Sequence, residues 1–219
     1  MPPAFDLESR SEIRDTLRRL AFGHLVTNVP GDDHGLSSTP LPFVVDDTLS
    51  TVRAHFARAN RHWRHTDGRE ALLIVAGSDA YVSPRWYPSK VEHGTVVPTW
   101  NYEVVHLHGT IEIHDDLSWK RHLVSDLTEH NESRVKDAER SEAWGVSDAP
   151  VDFIDQQLRA IVGVQLNVGR IEAKRKLSQN RPIGDRVGVM RGLGRSTEPG
   201  DVETAVLMQS TRQRQEPDA

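Results

Sequence analysis

Apolar positions along the chain change period several times, and each change marks an element. Ser9 and Glu12 have capping-box spacing, and Ile13, Leu17 and Leu20 follow at helical intervals, so residues 10–20 read as an amphipathic helix. From Gly23 the period shortens. Gly23–Asn28 reads as a strand, Pro30–Gly35 as a turn cluster and Ser37–Asp46 as an extended segment. Pro40 and Pro42 cannot donate to a ladder, which places that segment at a sheet edge. Leu49–Ala57 and Glu70–Ser83 are further strands, the second apolar on both faces through Ala71–Ala76. The clearest alternation runs from Tyr102 to His114, with Val105, Leu107, Gly109, Ile111 and Ile113 on one face and His106, His108, Thr110, Glu112 and His114 on the other.

Asp115 and Asp116 offer caps for a helix over residues 117–130, striped by Trp119, Leu123 and Leu127. Residues 131–149 read as a polar loop. Pro150 suits a first helical position, and a helix over 151–161 packs through Ile154, Leu158 and Ile161. Val162, Val164, Leu166 and Val168 alternate as the last strand. Residues 195–219 are polar and read as a mobile tail with at most a short helix around Val202–Met208, so the folded domain is set at 1–193 and the tail at 194–219. About six strands in meanders, with helices between or after them, predict an α+β protein built on an antiparallel sheet or barrel. No glycine-rich dinucleotide fingerprint or phosphate-binding loop is present.

Composition narrows the chemistry. The chain has 219 residues and 27 basic against 32 acidic side chains, hence a net charge of −5, which argues against a generic nucleic-acid binder. No apolar run approaches the roughly 20 residues a membrane span needs, and the first residues lack the pattern of a signal peptide, so a cytoplasmic protein is expected. Cysteine is absent. Thiol nucleophiles, zinc–thiolate sites and thiolate-ligated haem are thereby excluded. Eleven histidines remain to be explained.

Four stretches combine aromatics, histidines and anion donors. His55–His65 runs from a strand into a short helix, with Arg58, Asn60, Arg61 and Arg64 suited to an anion cradle. Tyr81–Lys90 offers hydroxyls, cations and a stacking surface; Val97–Tyr102 and Lys174–Pro182 add aromatic and basic, amide-rich segments. Each also has a plainer reading: the arginines as a solvated face, Trp63, Trp86 and Trp100 as core, His106 and His108 as strand histidines rather than metal ligands, and Lys176–Arg181 as a basic loop. No Ser-His-Asp order or zinc-protease motif appears. The residues alone describe a site for a planar anionic ligand and do not name it.

The motifs His55-x-x-Arg-Ala-Asn-x-x-Trp63, Ala80-Tyr-Val-Ser-Pro-x-Trp-Tyr87, Val97-Pro-Thr-Trp-Asn-Tyr102, Ala160-Ile-Val-Gly163 and Lys176-Leu-Ser-Gln-Asn-Arg181 resemble the PaiB-like family, the FMN-binding negative transcriptional regulator type, over about residues 1–193. The resemblance implies a split β-barrel of the pyridoxamine-phosphate-oxidase kind with peripheral helices. It also implies a homodimer whose cofactor sites use both subunits. Such barrels hold FMN in some branches and haem in others, including haem-dependent piperazate synthases.

This chain departs from the family pattern by placing His62 and His65 beside Trp63, next to His55. The plain reading of that pair is two surface histidines; what the resemblance implies, and the leading expectation, is a haem b enzyme similar to piperazate synthase. It would cyclise N5-hydroxyornithine, an amino-acid-like substrate, to piperazic acid by redox-neutral N–N bond formation. His65 or His62 would ligate iron. Arg85, Lys90 and Tyr87 would clamp the substrate, and His106 or His108 would act as base. The alternative is an FMN-binding regulator or flavin-dependent oxidoreductase. The cofactor-binding set is His55, Arg58, Asn60, Trp63, Arg64, Trp100, Tyr102, Lys176, Ser178 and Gln179, which suits a phosphate or propionates equally.

Overall fold

A computed structural model describes residues 5–7, 9–28, 35–135 and 143–215, with backbone alone for 212–215. The turn expected at Pro30–Gly35, the middle of the polar 131–149 segment and the last four residues fall wholly or largely outside this set. Six strands close into an antiparallel barrel in the order β1-β2-β3-β6-β5-β4, the split-barrel architecture that the resemblance implies. They are β1 (Phe22–Asn28), β2 (Leu36–Val45), β3 (Thr51–Ala57), β4 (Glu70–Val82), β5 (Thr99–His114) and β6 (Ile161–Lys176). The helices are α1 (Arg10–Leu20), α2 (Ser89–His93), α3 (Leu117–Glu132), α4 (Val151–Arg159), α5 (Ile183–Leu193) and α6 (Pro199–Gln215). None among the described residues is long and apolar enough to cross a membrane.

The chain divides into two compact units. One comprises Ser9–Val75 and His106–Ile171, the other Met1–Glu8, Ala76–Val105 and Glu172–Ala219. In the first, Ser9 Oγ caps α1 by accepting from the Glu12 N–H at 3.4 Å, and Ile13, Thr16 and Leu17 are buried. Asp116 caps α3 by accepting from the Trp119 N–H at 2.8 Å. Leu25, Phe43, Phe56, Leu73, Leu107, Ile111 and Val164 are buried. The alternation of β5 places Val105, Leu107 and Ile111 inward, as the sequence predicts.

β2 is not an edge strand. It pairs with β1 through Leu36–Pro42 and with β3 through Phe43–Val45. The Phe43 N–H donates to Ala21 O at 3.0 Å, so odd-numbered residues donate toward the β1 side. Pro40 and Pro42 therefore turn their missing donors to the other side, where the register with β3 has not begun. The prolines do sit on an open margin, but only half a strand of one.

In the second unit the core gathers Ala80, Val82, Tyr87, Leu177, Val189, Leu193, Ala205 and Met208. Helix α5 went unpredicted. Its Gly188 and Gly192 receive Trp86, for a β-carbon on Gly188 would lie 1.9 Å from the Trp86 carbonyl oxygen. Within the segment expected to be a mobile tail, Pro199–Gln215 form helix α6, with Thr204, Ala205 and Met208 buried. Few apolar residues sufficed, because α6 needs to cover only one side of a small core.

Gly163 of β6 lies beneath Trp119, whose ring stacks on His114 at a 4.1 Å centroid distance. A β-carbon there would meet Trp119 Cζ3 at 2.2 Å and His114 O at 3.0 Å. Gly163→Ala is expected to destabilise the fold by about 1–3 kcal/mol, lowering Tm by roughly 2–4 °C per kcal/mol in thermal denaturation. Gly169→Ala is the control, since its β-carbon would approach nothing closer than His108 O at 3.9 Å.

Candidate functional site

In the first unit, the His55–His65 segment is built as a clamp. Arg58 closes on Asp115 through both terminal nitrogens, and also donates from Nε to Arg159 O at 2.7 Å and from a terminal nitrogen to Ile161 O at 3.1 Å. The buried Lys120 reaches the same carboxylate at 2.8 Å. Chiefly through the Arg58 hydrogen bond, Asp115 is held well below the ordinary carboxylate range, at about 2. Trp63 donates its indole N–H to Arg58 O at 3.1 Å, and its ring carries Arg58 at 5.9 Å and Arg64 at 5.7 Å. Asn60 caps the 3-10 turn Arg61–His65 by accepting from the His62 N–H at 3.0 Å, and donates to Thr39 Oγ1 at 3.0 Å. Arg58 and Asn60 are thus engaged within the protein rather than held out as an anion cradle.

His62 is buried against Phe56. Its Nε2 bonds Thr27 Oγ1 at 2.6 Å and its Nδ1 bonds Thr39 Oγ1 at 2.8 Å. Both ring nitrogens are taken, which leaves no lone pair for iron in this arrangement. His65 is exposed at the end of the same turn. His55 is half-buried with an unpartnered Nδ1, beside a cleft of about 300 Å³ lined by Pro42, Val124, Asn131 and Trp144. Among the described residues no three His, Asp or Glu side chains gather as a metal cluster.

The histidines expected to act as base lie on β5. His108 Nε2 accepts from Arg170 at 3.0 Å, because a guanidinium only donates, and it borders an open cleft of about 740 Å³ with Glu70, Thr110 and Asn167. His106 is half-buried. Both belong to the first unit, whereas the expected clamp residues Arg85, Tyr87 and Lys90 belong to the second.

In the second unit three of the five motifs converge. Lys174, Arg175 and Lys176 are consecutive, yet their surroundings differ. Lys174 pairs with Asp6, and Arg175 pairs with Glu103 at 2.6 Å, both buried. Among the described residues Lys176 meets neutral oxygens alone, donating to Thr99 Oγ1 and to Trp100 O, the latter at 2.7 Å. Burial first, and then the positive charge of Arg181, push the Lys176 ammonium below its usual value. Arg181 lies over the Tyr87 ring at 5.2 Å. Burial raises the Tyr87 phenol, and the Arg181 charge opposes that shift. Trp100, which supplies the carbonyl, presents an indole 52% exposed, edge-on to Tyr81 at 6.0 Å.

Gln179 closes its own loop, accepting from the Leu177 N–H and donating to Arg175 O, both at 2.6 Å. Ser178 is buried and donates to Asn101 Oδ1 at 3.0 Å. Tyr102 is half-buried; Arg85 and Lys90 are exposed. Thr99, Asn101, Arg181 and Tyr81, which the sequence places in these stretches without singling them out as site residues, supply the remaining contacts. All four lie within the motifs, but nothing in their spacing shows which of them meet.

A family model described as "Putative FMN-binding domain" matches residues 1–170. A Bacillus subtilis protein named Protease synthase and sporulation protein PAI 2 is 30% identical over 216 residues, covering 98% of this chain and 99% of that one. The chain belongs to the PaiB-like FMN-binding family. Two solved structures share the family's fold. The flavocytochrome Anf3 from Azotobacter vinelandii is similar at a TM-score of 0.55 and 14% identity, over 79% of this chain and 70% of that one. The FAD and heme binding protein from Mycobacterium smegmatis is similar at 0.51 and 17%, over 78% and 73%.

Burial lowers the proton affinity of both His55 and His62 from the ordinary 6.5. The unfolded chain therefore takes up these protons first, and folding stability falls as pH drops below that value. Chemical denaturation between about pH 7 and pH 5 should show this slope, and His55→Gln with His62→Gln should flatten it.

Proposed function

We propose that this protein binds FMN, with the phosphate on Lys176 and Arg181 and the ring against the exposed Trp100 and Tyr81. The observation that carries the reading is the pair Lys176 and Arg181, two neighbouring cations that no carboxylate meets among the described residues. Their basic neighbours Lys174 and Arg175 are each neutralised by an acid. Two uncompensated cations beside an aromatic surface form a donor set suited to a planar, phosphate-bearing molecule. The half-buried position of Lys176 strengthens its attraction to an anion relative to a fully solvated lysine. Family membership supports flavin as that molecule.

Bound flavin would supply hydride and electron transfer. The protein's own part is to hold the phosphate through Lys176, orient Trp100 through its carbonyl and keep Arg181 planted on Tyr87. A regulator or a flavin-dependent oxidoreductase is the function this arrangement supports, and the former suits the sporulation role in the Bacillus relative's name. The haem-dependent cyclase has less behind it: His62 is engaged by two threonines, and the haem-binding neighbours share the fold alone.

The visible spectrum of freshly purified and FMN-reconstituted protein decides between these. A flavin double band that bleaches with dithionite is expected; a Soret band with no flavin uptake overturns the reading. Lys176→Ala should weaken FMN binding by roughly 10–100-fold, the worth of a charge-assisted hydrogen bond of about 1.5–3 kcal/mol. Lys174→Ala, whose ammonium already faces Asp6, should leave FMN affinity nearly unchanged.

A further inference from the structure

Asn101 has no solvent exposure, and both ends of its side-chain amide are engaged. Its Oδ1 accepts from Ser178 Oγ at 3.0 Å, and its Nδ2 donates to Met208 Sδ at 3.3 Å. One amide thus ties the loop after β6 to helix α6. Ser178 itself holds a φ of +60°, a left-handed conformation that residues with a β-carbon seldom adopt. Such a conformation persists only where the surroundings over-determine it. Lys176 and Arg181 flank this strained residue, and the Arg181 N–H donates to Ser178 O at 2.9 Å.

We propose that Asn101 is the positioning residue of the phosphate site and that Met208 sets the orientation of its amide. An amide can present either its oxygen or its nitrogen to a hydroxyl. A thioether sulfur can only accept, so Met208 draws Nδ2 to itself and leaves Oδ1 facing Ser178. That holds Ser178 in its left-handed turn, and the turn fixes the spacing of the Lys176 and Arg181 charges. Helix α6, like Lys176, Ser178 and Arg181 themselves, lies beyond residues 1–170, the part matched by the family model. The proposal rests on the phosphate role of Lys176 and Arg181.

The test compares FMN with riboflavin, which has the same ring and no phosphate, by quenching of flavin fluorescence. Wild-type protein is expected to prefer FMN. Asn101→Ala should reduce that preference by about tenfold, the loss of one hydrogen-bonded contact to a charged group, while riboflavin affinity stays the same. Adding Ser178→Gly, which adopts a positive φ without strain, should restore most of the preference. Met208→Leu, which keeps the volume and removes the acceptor, should give a smaller loss in the same direction.

An unchanged preference in Asn101→Ala overturns the positioning role. Equal loss of FMN and riboflavin affinity also overturns it, because that marks a purely structural defect. If Asn101→Ala does not fold, Met208→Leu decides by the same criterion. Wild-type protein that binds both flavins equally would instead remove the phosphate site, and this inference with it.

Discussion

Two opposite charges buried together anchor the second unit. Glu103 of β5 and Arg175 of β6 meet at 2.6 Å with almost no solvent access. Gly77 of β4 makes room for them, since a β-carbon there would lie 2.8 Å from Glu103 Oε1. Removing either partner of such a pair strands a bare charge in the interior, at a cost of about 3–5 kcal/mol. The pair therefore fixes β5 against β6, and the residue after Arg175 inherits that register. Lys176 is set against Thr99 and Trp100 for this reason. The cation of the pair is neutralised, whereas among the described residues the one beside it meets hydroxyl and carbonyl oxygens instead of a carboxylate.

The same distinction separates two motifs of equal prominence. Arg58 and Lys176 both belong to basic, aromatic stretches that suit an anion. Arg58 is met by Asp115, 57 residues further along, and by two carbonyls. It joins the end of β3 to the start of α3 and holds Trp63 in place. Among the described residues Lys176 meets no acid. Spacing could not tell these apart, because the neutralising carboxylate arrives from a distant part of the chain.

Where apolar residues repeat on one face, sequence and structure agree. Helix α1 with its Ser9 cap, the alternation of β5 and the Asp116 cap of α3 are examples. Helix α5 was not legible, and of α6 only a short stretch around Val202–Met208 was, for physical reasons. In α5, Gly188 and Gly192 contribute close approach to Trp86 rather than hydrophobicity, so the buried Val189 and Leu193 are too few to stand out as an apolar stripe. In α6, the buried Ala205 and Met208 alternate with the exposed Val202 and Val206, and the pattern points nowhere. Of the candidate site, the motif residues were visible through the family resemblance. Their partners were not: Asn101, Thr99 and Arg181 acquire meaning only once β5, β6 and the following loop are brought together.

The prolines of β2 have a consequence for the protein's behaviour in a crowded solution. Where β3 has not yet joined, β2 would otherwise offer an incoming strand a row of unpaired donors, the usual template for edge-to-edge aggregation. Pro40 and Pro42 remove two of those donors, those nearest the start of the β3 pairing, and none on the other side, because the Thr39 and Leu41 positions face β1. The barrel can leave a seam in its wall without that seam becoming adhesive. A stray β-strand meeting it beside Pro40 and Pro42 would find carbonyls but no N–H to bond in return.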